Sequence, residues 1–438
     1  MIKVALLVVF FLTVTLDELL DIGLLIVPGL SAKNAFLYVM LLAILCSKVI
    51  DRSRDGLQLP AIHLLFILLI ADASLSIFYM HFVSGDTAGI GLFGHIAYLK
   101  GQLVDMYLMF LVFFYAVESR QAALNFAKFF LAVICCMALI TLTDAVRIVN
   151  LDLISYYQGR LQGPLGGANS YGVFFAFFIP ILVLAAMGVG NRFLRFVYLV
   201  GAAASFAVLI QTASRGGFVG MLGGAVLAAW WLHGSYDVRK AFRSAAAIVL
   251  LAAVTLTVVI ATSEDLIEVA QQRIERTTEG TLDDRSAGRV FIWAQGLDYL
   301  MSRPWTLVVG AGWWTFWNRV NLSPHGAYVN LLFSLGIIGL GLFLALVHRV
   351  LTTARSAFSK TDDGEERLLI GGLVIGWLML VVAMITGTFM PWMFIWPFTA
   401  LCFRIAYCLE SEAPARDTTS VNENELAPVM RMRGRPGV

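Results

Sequence analysis

Residues 244–262, SAAAIVLLAAVTLTVVIAT, contain no charge, and residues 264–289, EDLIEVAQQRIERTTEGTLDDRSAGR, follow them almost directly. The polar interval closes with VNLSPH at 320–325, and HGAYVNLLFSLGIIGLGLFLALVH at 325–348 is apolar again. A hydrocarbon core about 30 Å thick is crossed by roughly 20 apolar helical residues. Both flanking runs are therefore of membrane-crossing length, and the interval from Glu264 to His325 is a long extramembrane loop between them.

The same pattern extends along the chain. Of 438 residues, 59% are hydrophobic and 14% charged, and the mean hydropathy is +0.82, whereas a soluble domain carries about 25% charged residues. Runs at 3–28, 34–49, 60–80, 102–117, 124–146, 170–189, 196–213, 216–233, 244–262, 325–348, 368–388 and 392–409 predict an all-α polytopic membrane protein of about twelve spans. Asp17, Glu18 and Asp21 make the first run short or broken. The expected organisation is a transmembrane domain over 1–409, an inserted loop over 263–324 and a disordered tail over 410–438.

Lys and Arg concentrate in alternate connections, among them Arg52, Arg54, Arg120, Arg192, Arg195, Arg239, Lys240 and Arg243. The positive-inside bias then puts both termini in the cytoplasm and the long loop outside. A net charge of +2 gives no reason to expect nucleic acid as a partner. Cys46, Cys135, Cys136, Cys402 and Cys408 lie in or beside apolar runs without C-x-x-C spacing, so they read as small buried hydrophobes.

Within the loop, residues 264–279 have amphipathic helical spacing, and a second helix is expected from about Ser286 to Ser302, ending at Arg303-Pro304. Arg285, Arg289 and Trp293 recur every fourth residue and would form one stripe. Like charges at that spacing repel unless an anion lies between them. In Ser323-Pro324-His325, Ser suits an N-cap and Pro the first helical position, so the next span is expected to begin there with His325 in its first turn. Such a site would keep the imidazole neutral and able to accept a proton; a merely capping interfacial histidine fits the same residues. Arg215, at the outer start of a helix, fits either an anion clamp or an interfacial anchor. Gly216, Gly220 and Gly224 suit close helix packing, and Gly310 and Gly312 suit a turn. Asp72, Asp105 and Asp144 are costly inside a membrane and are expected to face polar surroundings. His63, His81, His95, His233 and His348 have no ligand spacing.

The string His325-Gly326, nine residues, Gly336, two residues, Gly339 resembles the His-(Asn/Ser/Gln)-x9-Gly-x-x-(Gly/Thr/Tyr) signature of bacterial O-antigen ligases and the wider ligase and polymerase superfamily. Gly288-Arg289-Val290-Phe291-Ile292-Trp293 is similar to the family's Arg-x-x-x-Trp segment, and Trp305 to Gly312 resembles its P-x-x-G-x-G region. Ser214-Arg215-Gly216-Gly217 resembles an arginine-bearing motif, and Arg160-Leu161-Gln162-Gly163 with Ala168-Asn169-Ser170 resembles an Arg-x-x-Gly…Pro-Asn element. Gly326 and Ala168 depart from the family pattern.

The resemblance implies a GT-C-like enzyme of the bacterial inner membrane, with its active site facing the periplasm. It implies transfer of a glycan from an undecaprenyl-pyrophosphate carrier to an acceptor hydroxyl, most simply that of lipid A-core. A polymerase acting on a lipid-linked repeat is the alternative, and a lipid-linked glycan transporter a more remote one. His325, Arg289 and Arg215 would be catalytic. Arg160, Arg285, Asn169 and Trp293 would bind substrate, with arginines holding pyrophosphate oxygens bidentately. With no D-x-D motif in view, no metal and no cofactor are expected.

Overall fold

The computed structural model describes residues 2–20, 25–27, 30–50, 58–145, 147–148, 151–157, 159–165, 167–231, 281, 286, 288–362, 364–387 and 394–412. Helices dominate. α1 (Ile2–Leu20) leads through two short strands, β1 (Leu25–Val27) and β2 (Leu30–Ser31), into α2 (Ala32–Ile50) and α3 (Pro60–Phe78). A π-helical turn, Tyr79–Ser84, continues α3, and α4 (Leu92–Leu99) passes through a second π segment into α5 (Asp105–Ala116). After α6 (Arg120–Ala145) comes an antiparallel hairpin, β3 (Ser155–Tyr157) and β4 (Arg160–Gln162). Then follow α7 (Ala168–Gly188), α8 (Arg192–Thr212) and α9 (Arg215–Trp231). Beyond residue 288 lie α10 (Arg289–Met301), α11 (Thr306–Val309), α12 (Phe316–Val320), α13 (Ala327–Lys360), α14 (Gly364–Ala383) and α15 (Ile395–Glu412).

Seven segments among the described residues are long and apolar enough to cross a membrane: Pro60–Ser84, Leu92–Ala116, Arg120–Ala145, Ala168–Gly188, Arg192–Thr212, Ala327–Lys360 and Gly364–Ala383. The expected run at 244–262, the amphipathic segment at 264–279, Arg285 and the tail beyond residue 412 lie outside the described residues. The run expected over 3–28 stops as a helix at Leu20. Lys33 engages Asp17 at 2.9 Å and also Glu18, which gives two acids of this otherwise apolar helix a counter-charge.

A helix that is apolar on every face belongs in a core. α7 has no charged residue, and 89% of its most apolar window is buried. It packs against α8, α9 and α14. Lipid supplies little drive for helix association, so close approach between small residues does much of that work. A Cβ on Gly220 of α9 would lie 3.0 Å from both the Ala383 Cβ and the Met379 carbonyl oxygen of α14. One on Gly376 of α14 would lie 3.0 Å from the Phe177 carbonyl oxygen of α7.

Several charged residues in and beside the spans are paired, whereas Asp72 of α3 keeps a buried Oδ2 without a hydrogen-bond partner among the described residues. Arg120 at the start of α6 makes a forked contact with buried Glu366 of α14, at 2.6 to 2.9 Å. Asp105 takes the Tyr38 hydroxyl at 2.9 Å and Lys100 at 2.8 Å. Asp144 accepts the backbone N–H groups of Leu151, Leu153 and Ile154, which orders the chain leading to the hairpin. All five cysteines are free; Cys135, Cys402 and Cys408 are buried, but Cys46 and Cys136 are exposed, contrary to expectation. Both lie on apolar helices, which can present such residues to lipid at little cost.

The Gly220 contact is testable by thermal unfolding in detergent. Gly220→Val is expected to destabilise by about 1–3 kcal/mol through overpacking. Gly341→Ala, where a Cβ would meet nothing within 4 Å, is expected to be neutral or slightly stabilising.

Candidate active site

The site is built where several helices start or stop. α8 ends with Ala213 in the left-handed conformation (φ 45°). Ser214 then caps α9, its hydroxyl accepting the Gly217 N–H at 3.2 Å, so Arg215 becomes the first residue of that helix. Arg160 reaches over from β4, donating through Nε to the Thr212 carbonyl at 2.9 Å and through Nη2 to Asn169 Oδ1 at 2.6 Å. The Asn169 carbonyl in turn accepts the Ser214 hydroxyl at 3.3 Å. Arg160 and Asn169 thus join the hairpin to the starts of α7 and α9 and the end of α8. Both were expected to contact substrate; the structure shows them bonded to each other and to the scaffold that carries Arg215.

α10 brings the second arginine. Its buried face, Ile292, Gly296 and Leu300, clusters with Phe316 and Phe333. Arg289 and Trp293 lie one turn apart on a common side. The indole Nε1 of Trp293 donates to the Pro324 carbonyl at 2.8 Å, which ties α10 to the segment just before His325. The Arg289 Nε is buried without a hydrogen-bond partner among the described residues. Burial, and then the nearby positive charge of Arg215, lower the Arg289 pKa. The two guanidinium groups therefore share one electrostatic environment, although 74 positions separate them in sequence (289 − 215 = 74).

His325 departs from expectation in its backbone. α13 begins at Ala327, with Gly326 as an extended cap and no side-chain capping bond. Ser323 is therefore not an N-cap, and His325 lies ahead of the helix at φ 43°, a left-handed conformation costing a non-glycine residue roughly 1–3 kcal/mol. It is held from both sides. Pro324 is bound by Trp293, and the Ala327 N–H donates to the carbonyls of Met384 at 2.9 Å and Gly387 at 3.1 Å. The end of α14 thus does the capping that Ser323 was expected to do. A Cβ on Gly326 would come within 2.9 Å of the Ile385 carbonyl oxygen, so glycine, in place of the usual Asn, Ser or Gln, lets the chain lie close to this turn. His325 keeps an exposed flank. Its pKa is lowered, first by partial burial and then by the Arg289 charge. The imidazole is accordingly neutral at pH 7 and gains a proton only as pH falls through that lowered value. The physical cause is a neighbouring arginine and shielding, not the first turn of a helix.

Arg289 lies within electrostatic range of both Arg215 and His325, which stand on two other elements. Two guanidinium groups with a neutral imidazole beside them can hold an anion and accept a proton next to it. The motif glycines serve the framework. Gly336 breaks α13 with φ 67°, and the Ala311 and Gly312 N–H groups bond to the Phe333 and Ser334 carbonyls at 2.6 and 3.3 Å. The turn at Met384–Gly387 was missed by sequence reasoning; nothing in its composition signals contact with residue 327. Elsewhere, His81 Nε2 and His95 Nδ1 lie 2.9 Å apart. Among the described residues no group of three or more His, Cys, Asp or Glu could hold a metal ion.

Residues 200–344 match the family model described as O-antigen ligase. This segment is O-antigen ligase-like. The match spans Arg215, Arg289 and His325 and leaves Arg160 and Asn169 outside it. It covers about a third of the chain. No curated protein matches the chain.

The electrostatic link between Arg289 and His325 in this segment can be measured by NMR titration of ring-labelled histidine. The His325 midpoint is expected below the ordinary value of about 6.5 and should rise in Arg289→Gln. A midpoint that ignores this substitution would contradict the coupling.

Proposed function

We propose that this protein transfers a glycan from undecaprenyl-pyrophosphate to a hydroxyl of lipid A-core at the periplasmic face of the bacterial inner membrane. What supports this most is the convergence of Arg215, Arg289 and His325 within the family-matched segment. In the proposed reaction the acceptor oxygen attacks the sugar's anomeric carbon, and the bond from that carbon to the pyrophosphate oxygen breaks. The acceptor proton passes to the neutral His325 ring. The departing pyrophosphate gains negative charge, which Arg215 and Arg289 stabilise.

The arginines suit this task because two guanidinium groups within range of each other's charge favour an anion placed between them. Preorganised donors of this kind are each worth about 10²–10³ in rate, and a positioned general base about 10²–10⁴. Trp293, Arg160 and Asn169 act in this scheme by fixing where those three groups stand. Catalysis in this scheme runs through the protein's own charges.

Purified protein supplied with undecaprenyl-pyrophosphate-linked glycan and lipid A-core is expected to form a glycan-extended acceptor. Arg215→Ala, Arg289→Ala and His325→Ala are each expected to lower kcat/KM by about 10²-fold or more. Arg289→Lys should restore little, since an ammonium cannot replace a planar fork. Turnover near that of the wild type in Arg289→Ala and His325→Ala would overturn the assignment. Product formed only with a lipid-linked repeat as acceptor would establish the polymerase instead.

A further inference from the structure

A second site lies at the far end of α10. A cavity of about 1030 Å³ opens between the outer end of α3, its π-helical extension and the 299–312 segment, comparable with the largest small-molecule and cofactor pockets. Its wall is mainly apolar, with Phe78, Val83, Trp305, Val308, Val309 and Ile338 among its lining. These six are each 44% or more exposed, so the cavity is open along its side as well as at its mouth.

The mouth is polar and carries an excess of positive charge. Arg319 is its buried strut: Nη1 donates to Asp86 Oδ2 at 2.8 Å and to the Tyr299 hydroxyl at 2.7 Å, and Nη2 to the Asp86 carbonyl at 3.0 Å. Its side chain is 9% exposed. Arg303 stands 3.4 Å from the same carboxylate and leaves 51% of its side chain exposed. Among the described residues, two guanidinium groups against one carboxylate leave one positive charge at the rim, and Arg303 is the group that presents it. At the inner end is Asp72, whose Oδ2 is buried without a partner. An unmatched acceptor there is costly and suits a chain that brings a hydroxyl.

We propose that this cavity binds the lipid anchor of the glycan acceptor, an amphiphile whose anionic head meets Arg303 and whose chain lies along the apolar wall. The inference rests on the transfer reaction proposed above. In that reaction the donor's pyrophosphate is bonded directly to the reacting sugar, so the donor head belongs at Arg215 and Arg289. α10 runs from Arg289 to Met301, a length of roughly 20 Å at 1.5 Å per residue. A cavity at its opposite end is too far away to receive the same head group. It is placed for the other lipid substrate, whose reacting hydroxyl lies several sugars from its anchor and so bridges that distance to His325.

The experiment uses the full chain in nanodiscs, with lipid A-core as acceptor and undecaprenyl-pyrophosphate-linked glycan as donor. Arg303→Ala and the cavity-filling Val309→Trp are each expected to raise the acceptor KM about tenfold and leave the donor KM unchanged. Lipid A-core binding, followed without donor by native mass spectrometry, is expected to weaken similarly, with melting temperatures close to wild type. Phosphatidylglycerol and inorganic phosphate should compete poorly, which separates the anchor from a generic lipid head or a free anion. Unchanged acceptor KM and binding in both variants would overturn the proposal, as would equal competition by phosphatidylglycerol. Wild-type protein that binds lipid A-core through Arg303 and Val309 but makes no product would instead refute the transfer reaction while upholding the cavity as the binding site.

Discussion

A helix that stops leaves its last carbonyls without intrahelical partners, and near a bilayer water is a poor substitute for them. In this protein those carbonyls are the points of attachment for the candidate site. The Thr212 carbonyl at the end of α8 takes Arg160. The Met384 carbonyl beyond α14 takes the Ala327 N–H. The Phe333 and Ser334 carbonyls, released where Gly336 interrupts α13, take the N–H groups of Ala311 and Gly312. Each break in a span is thus also the place where a second segment is fastened. The backbone around Arg215 and His325 is specified by hydrogen bonds that lipid would make expensive to lose.

The charges follow from this framework. Ser214 and Arg160 hold the start of α9, and Trp293 with the α14 turn holds His325 from either side. Arg289 then comes close enough to feel Arg215, and His325 close enough to feel Arg289. Arg215 and Arg289 lie within range of each other's like charge, and the left-handed backbone of His325 adds strain. Strain and like-charge proximity of this sort persist only where the surrounding contacts over-determine them. Stability given up here is recovered in the uncharged α7 and in the glycine contacts between α9 and α14.

Much of this was readable along the chain. Apolar runs such as 170–189 and 368–388 announced spans because a bilayer sets their length and composition. The helix carrying Arg289 and Trp293 was legible because a period of 3.6 survives between the spans, and it begins at Arg289 and ends three residues before Pro304. The small residues Gly216, Gly220 and Gly224 were legible as a packing stripe, and Gly310 and Gly312 as a turn. The helix start at Ser323 was not, since capping preferences are local whereas the cap supplied by Met384 and Gly387 comes from a distant turn. The apolar cavity beside Arg303 left no pattern either, because its wall is drawn from α3, the 299–312 segment and α13.

By itself the sequence determined that this is a polytopic helical membrane protein with a long polar interval, and it singled out Arg215, Arg289 and His325. Burial preference and helical periodicity act over a few residues, and a linear chain records them directly. Only the tertiary structure decided that these three groups share one electrostatic environment, that Arg160 and Asn169 bind each other, and that His325 stands outside its helix. Those outcomes depend on hydrogen bonds and charges between segments far apart in sequence, and their geometry exists only once the helices have packed.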